Sequence, residues 1–193
     1  MKLPNEAHTS CDWRIHEVAY DYRVEDVWAL PTPGRREDFP HLVQVASDDA
    51  TASSPVVRGL LAIRWKLGEV FGWDEAADGA ATSSLRKRLP EDLREGPSGP
   101  DDGRFTPLYL TDREWAAEMV NKTMHGVMHV GWVPDETGDG YHGQLAVLVK
   151  PNGLFGRLYM AGITPFRYLL VYPLVIRSIE RLWLERAEER EAT

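Results

Sequence analysis

The sequence predicts an α+β fold, on three observations. Residues 123–133 read as a strand, rich in Val, Met and His, with Gly126 and Gly131 disfavouring helix. Residues 141–150 read as its antiparallel return, across the hairpin composition of Pro134-Asp135-Glu136-Thr137-Gly138-Asp139-Gly140. Everything from Leu154 onward is helical in pattern, and no strand–helix–strand alternation precedes it, which argues against a parallel-sheet architecture.

Taken in order, residues 1–11 read as a flexible tail ahead of one domain, 12–186, followed by a charged tail, 187–193. Residues 13–20 roughly alternate large apolar with polar side chains and predict a first strand. Residues 24–30 suit a short helix, stopped by the breaker cluster Pro31-Thr32-Pro33-Gly34. A second short element is expected over 39–46. Residues 57–71 form the clearest early helix, with Leu60, Leu61, Trp65, Leu67 and Phe71 mostly on one side and Gly72 placed to cap it. Residues 74–104 are polar and rich in Asp, Gly, Ser and Pro, with one helical piece at 84–94; a long loop, the least protected internal region, is expected. Residues 106–110 predict a strand. Residues 115–120 have helical propensity between strands, so their state is left open. In the terminal helix Pro165 and Pro173 should kink or restart the chain.

Composition narrows the function classes. The 193 residues suit one domain that buries roughly 70% of its unfolded surface. Thirty acidic against 22 basic side chains, a net charge of −8, argue against nucleic acid or an anionic membrane as partner. Cys11 is the only cysteine, so no internal disulfide and no cysteine-based metal site can form. Residues 1–10 lack the apolar core of a signal peptide, and the most apolar run, 168–176, falls short of the ~20 residues of a membrane helix. A cytoplasmic protein with no membrane span is expected. No cofactor is expected either: Gly153-Leu154-Phe155-Gly156 lacks the Lys-Ser/Thr ending of a phosphate loop, and no Gly-x-Ser-x-Gly occurs.

Two stretches carry a resemblance. Residues 121–133, Asn-Lys-Thr-Met-His-Gly-Val-Met-His-Val-Gly-Trp-Val, and residues 149–160, continuing through Ile163-Thr164-Pro165-Phe166-Arg167, resemble the bacterial domain-of-unknown-function family numbered twenty-eight sixty-seven. That family looks like a branch of the START-like (SRPBCC) superfamily, which also holds polyketide cyclases and plant hormone-binding proteins. Arg167 stands where the family pattern often has a His. The resemblance implies a helix-grip fold: a curved antiparallel sheet wrapped around a long C-terminal helix, with an internal cavity. Such cavities are mostly apolar and aromatic with a few polar anchors.

Candidate site residues follow from this picture. On a helix, His125 and His129 would lie ~6 Å apart on one face, but Gly126 stands where a zinc-protease motif has Glu. On the preferred strand they lie ~13 Å apart, too far to share an ion, so no metal site is expected. One strand face carries Thr123, His125, Val127, His129 and Gly131, the other Met124, Met128, Val130 and Trp132. The sequence leaves open which of them faces the cavity. His125, His129, Trp132, Tyr159, Arg167 and Tyr172 are the candidate ligand-binding residues, for a hydrophobic or aromatic small molecule; homodimerisation is left open. The alternative is a cyclase, dehydratase or isomerase acting on a polyketide-like metabolite. There His125 or His129 would be the general acid/base, and Tyr159 or Arg167 would stabilise an enolate or phenolate.

Overall fold

The computed structural model describes residues 1–47, 84–101, 103, 105–120, 124–135, 138, 140–153, 160, 162, 164, 165 and 167–191. The strands are β1 (Lys2–Leu3), β2 (Arg23–Ala29), β3 (Thr106–Leu110), β4 (Glu114–Val120), β5 (Met124–Pro134) and β6 (Tyr141–Pro151). They form one curved antiparallel sheet in the order β1-β2-β6-β5-β4-β3. The helices are α1 (Glu6–Thr9), α2 (Ile15–Val18), α3 (Phe39–Ser47), α4 (Glu91–Glu95) and α5 (Tyr172–Glu191). A π-helical turn, Arg167–Val171, leads directly into α5. The fold is therefore α+β, with a long C-terminal helix on the sheet as a helix grip requires. No helix of the described residues is long and apolar enough to cross a membrane.

The β5–β6 hairpin forms as the sequence predicts, paired without a break from Met124↔Pro151 to Pro134↔Tyr141. Its loop closes through Asp135 N–H to Gly140 O (2.8 Å) and Gly138 N–H to Asp135 O (2.9 Å). Both faces of the sheet are buried, and alternate residues sort between them. One face, the arm face, carries Val127, Ala116, Ala146 and Leu148, covered by Trp13, Ile15, Val18, Leu85, Leu89 and Leu93. The other, the helix face, carries Trp115, Val130, Trp132 and Leu145, covered by Leu42, Val43 and Val45 of α3 and by Ile179 and Trp183 of α5. The outer edge of β3 is blunted by Pro107 and by a bond from Leu110 N–H to Pro97 O (2.7 Å), which denies it to other chains.

Several expectations are corrected. Residues 13–20 are not a strand: Ile15, Val18 and Ala19 have the i, i+3, i+4 spacing of a helical turn, and all three are buried beneath α2. Residues 24–30 are strand β2 rather than a helix. A bulge between Val24 and Asp26 breaks the alternation and hides its period of two. Residues 1–11 are not a loose tail, because β1 pairs with β2 and His8 of α1 is fully buried. Of the segment expected to be a polar loop, the described part is pinned by Leu85, Leu89 and Leu93, each at most 6% exposed. Residues 115–120 become β4, since pairing on both sides outweighs their helical propensity. At the other end α5 continues to Glu191, through most of the expected charged tail. Pro173 follows closely on the π turn, which stands at the expected restart. Leu169 in that turn is 75% exposed, so the helix is not enclosed all round. The helix expected at 57–71 lies outside the described residues.

Packing around Gly131 yields a sharp test. A Cβ there would meet Trp13 Cζ2 at 2.7 Å and Cη2 at 2.8 Å, whereas at Gly126 the nearest atom is Met124 Cε at 3.6 Å. Gly131→Ala is expected to cost about 1–3 kcal/mol by overpacking a rigid ring. Gly126→Ala is expected to be tolerated far better. Denaturant midpoints of the two variants check this, and equal midpoints would contradict the contact.

Candidate functional site

The sheet separates the candidate residues. His125 and His129 lie on the arm face; Trp132, Arg167 and Tyr172 lie on the helix face. Tyr159 lies outside the described residues. The pairing of a histidine with Arg167 that the enzyme alternative requires is therefore not formed: the histidines lie at odd positions of β5 on the arm face, and Arg167 lies on the helix face.

On the arm face each histidine meets a glutamate from β4. His125 Nε2 is 2.7 Å from Glu118 Oε2, and His129 Nε2 is 2.9 Å from Glu114 Oε2. Both pairs are the same diagonal. Glu118 is registered opposite Val127 and Glu114 opposite Gly131, so each carboxylate reaches the histidine two residues before its direct partner. Ser84 Oγ–H and Leu85 N–H donate to Glu118 at 2.5 and 2.9 Å. Tyr109 O–H and Arg14 N–H donate to Glu114 at 3.0 and 2.9 Å. Burial works against the charge on both glutamates, but the hydrogen bonds from His129 and His125, with those from these further donors, outweigh it and hold both carboxyls below their ordinary range.

A second imidazole extends the Glu114 pair. His8 Nε2 lies 3.1 Å from His129 Nδ1. An ionised carboxylate only accepts, so His129 donates through Nε2–H, and its Nδ1 is left to accept from His8 Nε2–H. Both imidazoles are neutral in this pattern. Burial pushes His129 down, and burial together with His129 and His16 pushes His8 down to about 2. Since Glu114, His129 and His8 are each at most 1% exposed, this chain is a sealed polar network. Among the described residues no group of three or more His, Cys, Asp or Glu is placed to hold a metal ion.

The helix face carries the other cluster. The β2 bulge turns Asp26 inward, where its carboxylate is fully buried. Tyr172 O–H donates to Asp26 Oδ2 at 2.6 Å, Tyr168 O–H donates to Oδ1, and Arg167 pairs with the same carboxylate. Trp28 lies beside them, its ring 4.9 Å from that of Tyr172 and 6.2 Å from that of Tyr168. Burial pushes the Tyr172 hydroxyl up to about 12, against the Arg167 charge. The Arg167 side chain is 12% exposed, and its Nη1 has no partner among the described residues. The π-helical turn makes this gathering, since its wider winding sets Arg167, Tyr168 and Tyr172 around one carboxylate; such turns recur at functional sites. Trp132 is further along the same face, deep in the core. Its Nε1–H donates to Arg35 O at 3.1 Å, and its ring lies 6.0–6.3 Å from those of Trp183, Tyr141 and Phe39.

Of these two clusters the sequence singles out Arg167, Tyr172, His125 and His129 as candidates but not Asp26, Glu114, Glu118 and His8. The signal for the glutamates was present: Glu114 and Glu118 share the i, i+4 spacing of His125 and His129. Two such strands side by side predict two pairs.

An antiparallel sheet with a C-terminal helix on one face, and an aromatic cluster with a charged pair between them, defines an α+β protein of sheet-and-helix type. Within that class the chain belongs to the family described as "Protein of unknown function (DUF2867)", whose match covers residues 18–174. Asp26, both Glu–His pairs, Arg167 and Tyr172 fall inside the match; His8 precedes it. No curated protein and no solved structure matches the chain.

Proposed function

We propose that the protein binds a hydrophobic or aromatic small molecule on the helix face of the sheet, where the chain enters α5. The observation that carries this reading is the Asp26–Arg167–Tyr168–Tyr172 cluster beside Trp28. It combines aromatic walls with a guanidinium that retains an unpaired N–H, the combination of apolar lining and few polar anchors that small-molecule sites use. Arg167 Nη1 would take a carboxylate, phenolate or carbonyl oxygen, while Asp26 and the two hydroxyls hold its other side in place. A START-like relationship is supported by the topology, in which β2 returns beside the last strand while β3 to β6 run in sequence. The cyclase, dehydratase or isomerase reading gains less support, because His125 and His129 point away from Arg167.

Native mass spectrometry of the purified protein tests whether a ligand is carried. Thermal melts with 2-naphthoate, an aromatic carboxylate, test the site directly. The expected result is a rise in Tm that is lost in Arg167→Leu. A rise of equal size in that variant would remove Arg167 from the site. Naphthoate without effect, together with no carried ligand, would reject the reading.

A further inference from the structure

Residues 1–11 pass around the β2 edge and touch both faces of the sheet. On the helix face Lys2 Nζ donates to the Tyr168 hydroxyl at 2.9 Å and lies 4.0 Å from the centre of its ring. On the arm face His8 is buried against His129, with the rings 4.9 Å apart. The other ties include two bonds between Met1 and Ala29, at 2.9 and 2.8 Å, and the packing of Leu3 and Cys11 on the arm-face core. The β1 strand is two residues long, Asn5 Nδ2–H donates to Val24 O at 2.8 Å, and Gln144 Nε2–H donates to Ala7 O at 3.3 Å.

The charges around His8 are few. His129 faces it from β5, with Glu114 of β4 one ring further off and Tyr109 of β3 behind that carboxylate. His16 of α2 faces it from the other side, its ring 4.9 Å away and its Nε2 3.3 Å from His8 O. Trp13 lies 6.2 Å away under the Arg113 guanidinium, and Arg14 contributes its backbone N–H to Glu114.

We propose that residues 1–11 are an acid-released clasp, holding the aromatic site closed through Lys2 while His8 is docked on His129 and opening when His8 is protonated. The proposal rests on the reading of the helix face as the binding site. The physical reason lies in the nitrogen-to-nitrogen bond, which needs one proton shared across 3.1 Å. A second proton on the pair sets N–H against N–H, and a proton on His8 Nδ1 makes a buried cation with no partner among the described residues. Once released, His8 is an ordinary imidazole titrating near 6.5. Docking is thus firmest above about pH 6.5, and each unit below favours the open clasp up to tenfold. Opening withdraws Lys2 from Tyr168 and uncovers β2 at Val27 and Trp28.

Amide hydrogen exchange at pH 7.5 and 5.5, corrected for intrinsic rates, tests this. Protection of residues 7–10, whose N–H groups bond within the clasp, is expected to fall about tenfold over that interval while β5 and β6 keep theirs. His8→Gln, which can still donate to His129 but does not titrate, is expected to lose most of the change; His8→Phe is a second such variant should Gln fold poorly. In the wild type, 2-naphthoate should associate faster at pH 5.5. A clasp protected equally at both pH values, a fall shared with β5 and β6, or an undiminished change in both variants would overturn the proposal. Naphthoate that fails to bind while the clasp still responds to pH would overturn the site reading and not the clasp.

Discussion

Glu114→Leu is expected to lower stability by about 3–5 kcal/mol, the loss that follows when one partner of a buried polar pair is removed. The carboxylate takes three hydrogen bonds, from His129, Tyr109 and the Arg14 backbone. Leucine has roughly the right bulk and accepts none of them, leaving a phenol, an imidazole and an amide without acceptors in the core. Each buried donor without a partner costs about 1–3 kcal/mol. Urea denaturation measures the total. The effect should also depend on pH in a defined direction. Glu114 is held below its ordinary range in the folded state, so its contribution is complete above the unfolded carboxylate value near 4.3. It falls away as pH drops below that value. The difference between wild type and Glu114→Leu should therefore narrow in acid. A variant within 1 kcal/mol of wild type at neutral pH would mean that the network is not worth its burial.

Trp132→Ala is the second large effect, at about 3–5 kcal/mol. The indole is 2% exposed and fills the junction of α3, α5 and the β5–β6 hairpin. Truncation opens a cavity among Phe39, Tyr141 and Trp183 and also strands the Arg35 carbonyl. Were Trp132 a ligand-lining residue with little packing role, the cost would be small and naphthoate binding would fail instead. Denaturant melts with and without naphthoate separate the two. A large loss of stability with the remaining folded protein still binding at Arg167 is the expected outcome.

Strong local patterns carried most of the architecture. The β5–β6 hairpin was legible because apolar strands flank a loop of turn-forming residues, and the terminal helix because its apolar run exceeds any strand. Misread elements share a physical cause, which is a partner distant in sequence. Residues 24–30 form a strand only because β6, more than a hundred positions later, offers an open edge. Residues 115–120 would favour a helix in isolation and are overruled by strands on both sides. The candidate cluster was half legible for the same reason. Arg167 and Tyr172 stood out as polar groups on an apolar helix, but Asp26 looked like one more surface acid until the bulge turned it inward. His8 gave no signal at all, since nothing local marks a residue in a polar leader as buried.

The repeated diagonal between Glu114–His129 and Glu118–His125 bears on how the sheet finds its alignment during folding. A misalignment of β4 against β5 by four positions brings one glutamate and one histidine together and leaves the other two alone among apolar groups. A shift of β4 by one position sends both glutamates to the helix face, into the packing of α3 and α5, and leaves both histidines without them on the arm face. Apolar side chains alone would tolerate some of these mistakes, because valine, methionine and alanine pack passably in many neighbours' company. Two acids and two bases at matched intervals do not. They work as a parity check on strand alignment, passed only when both pairs close together, and the chain spends two buried ion-accepting groups to enforce it.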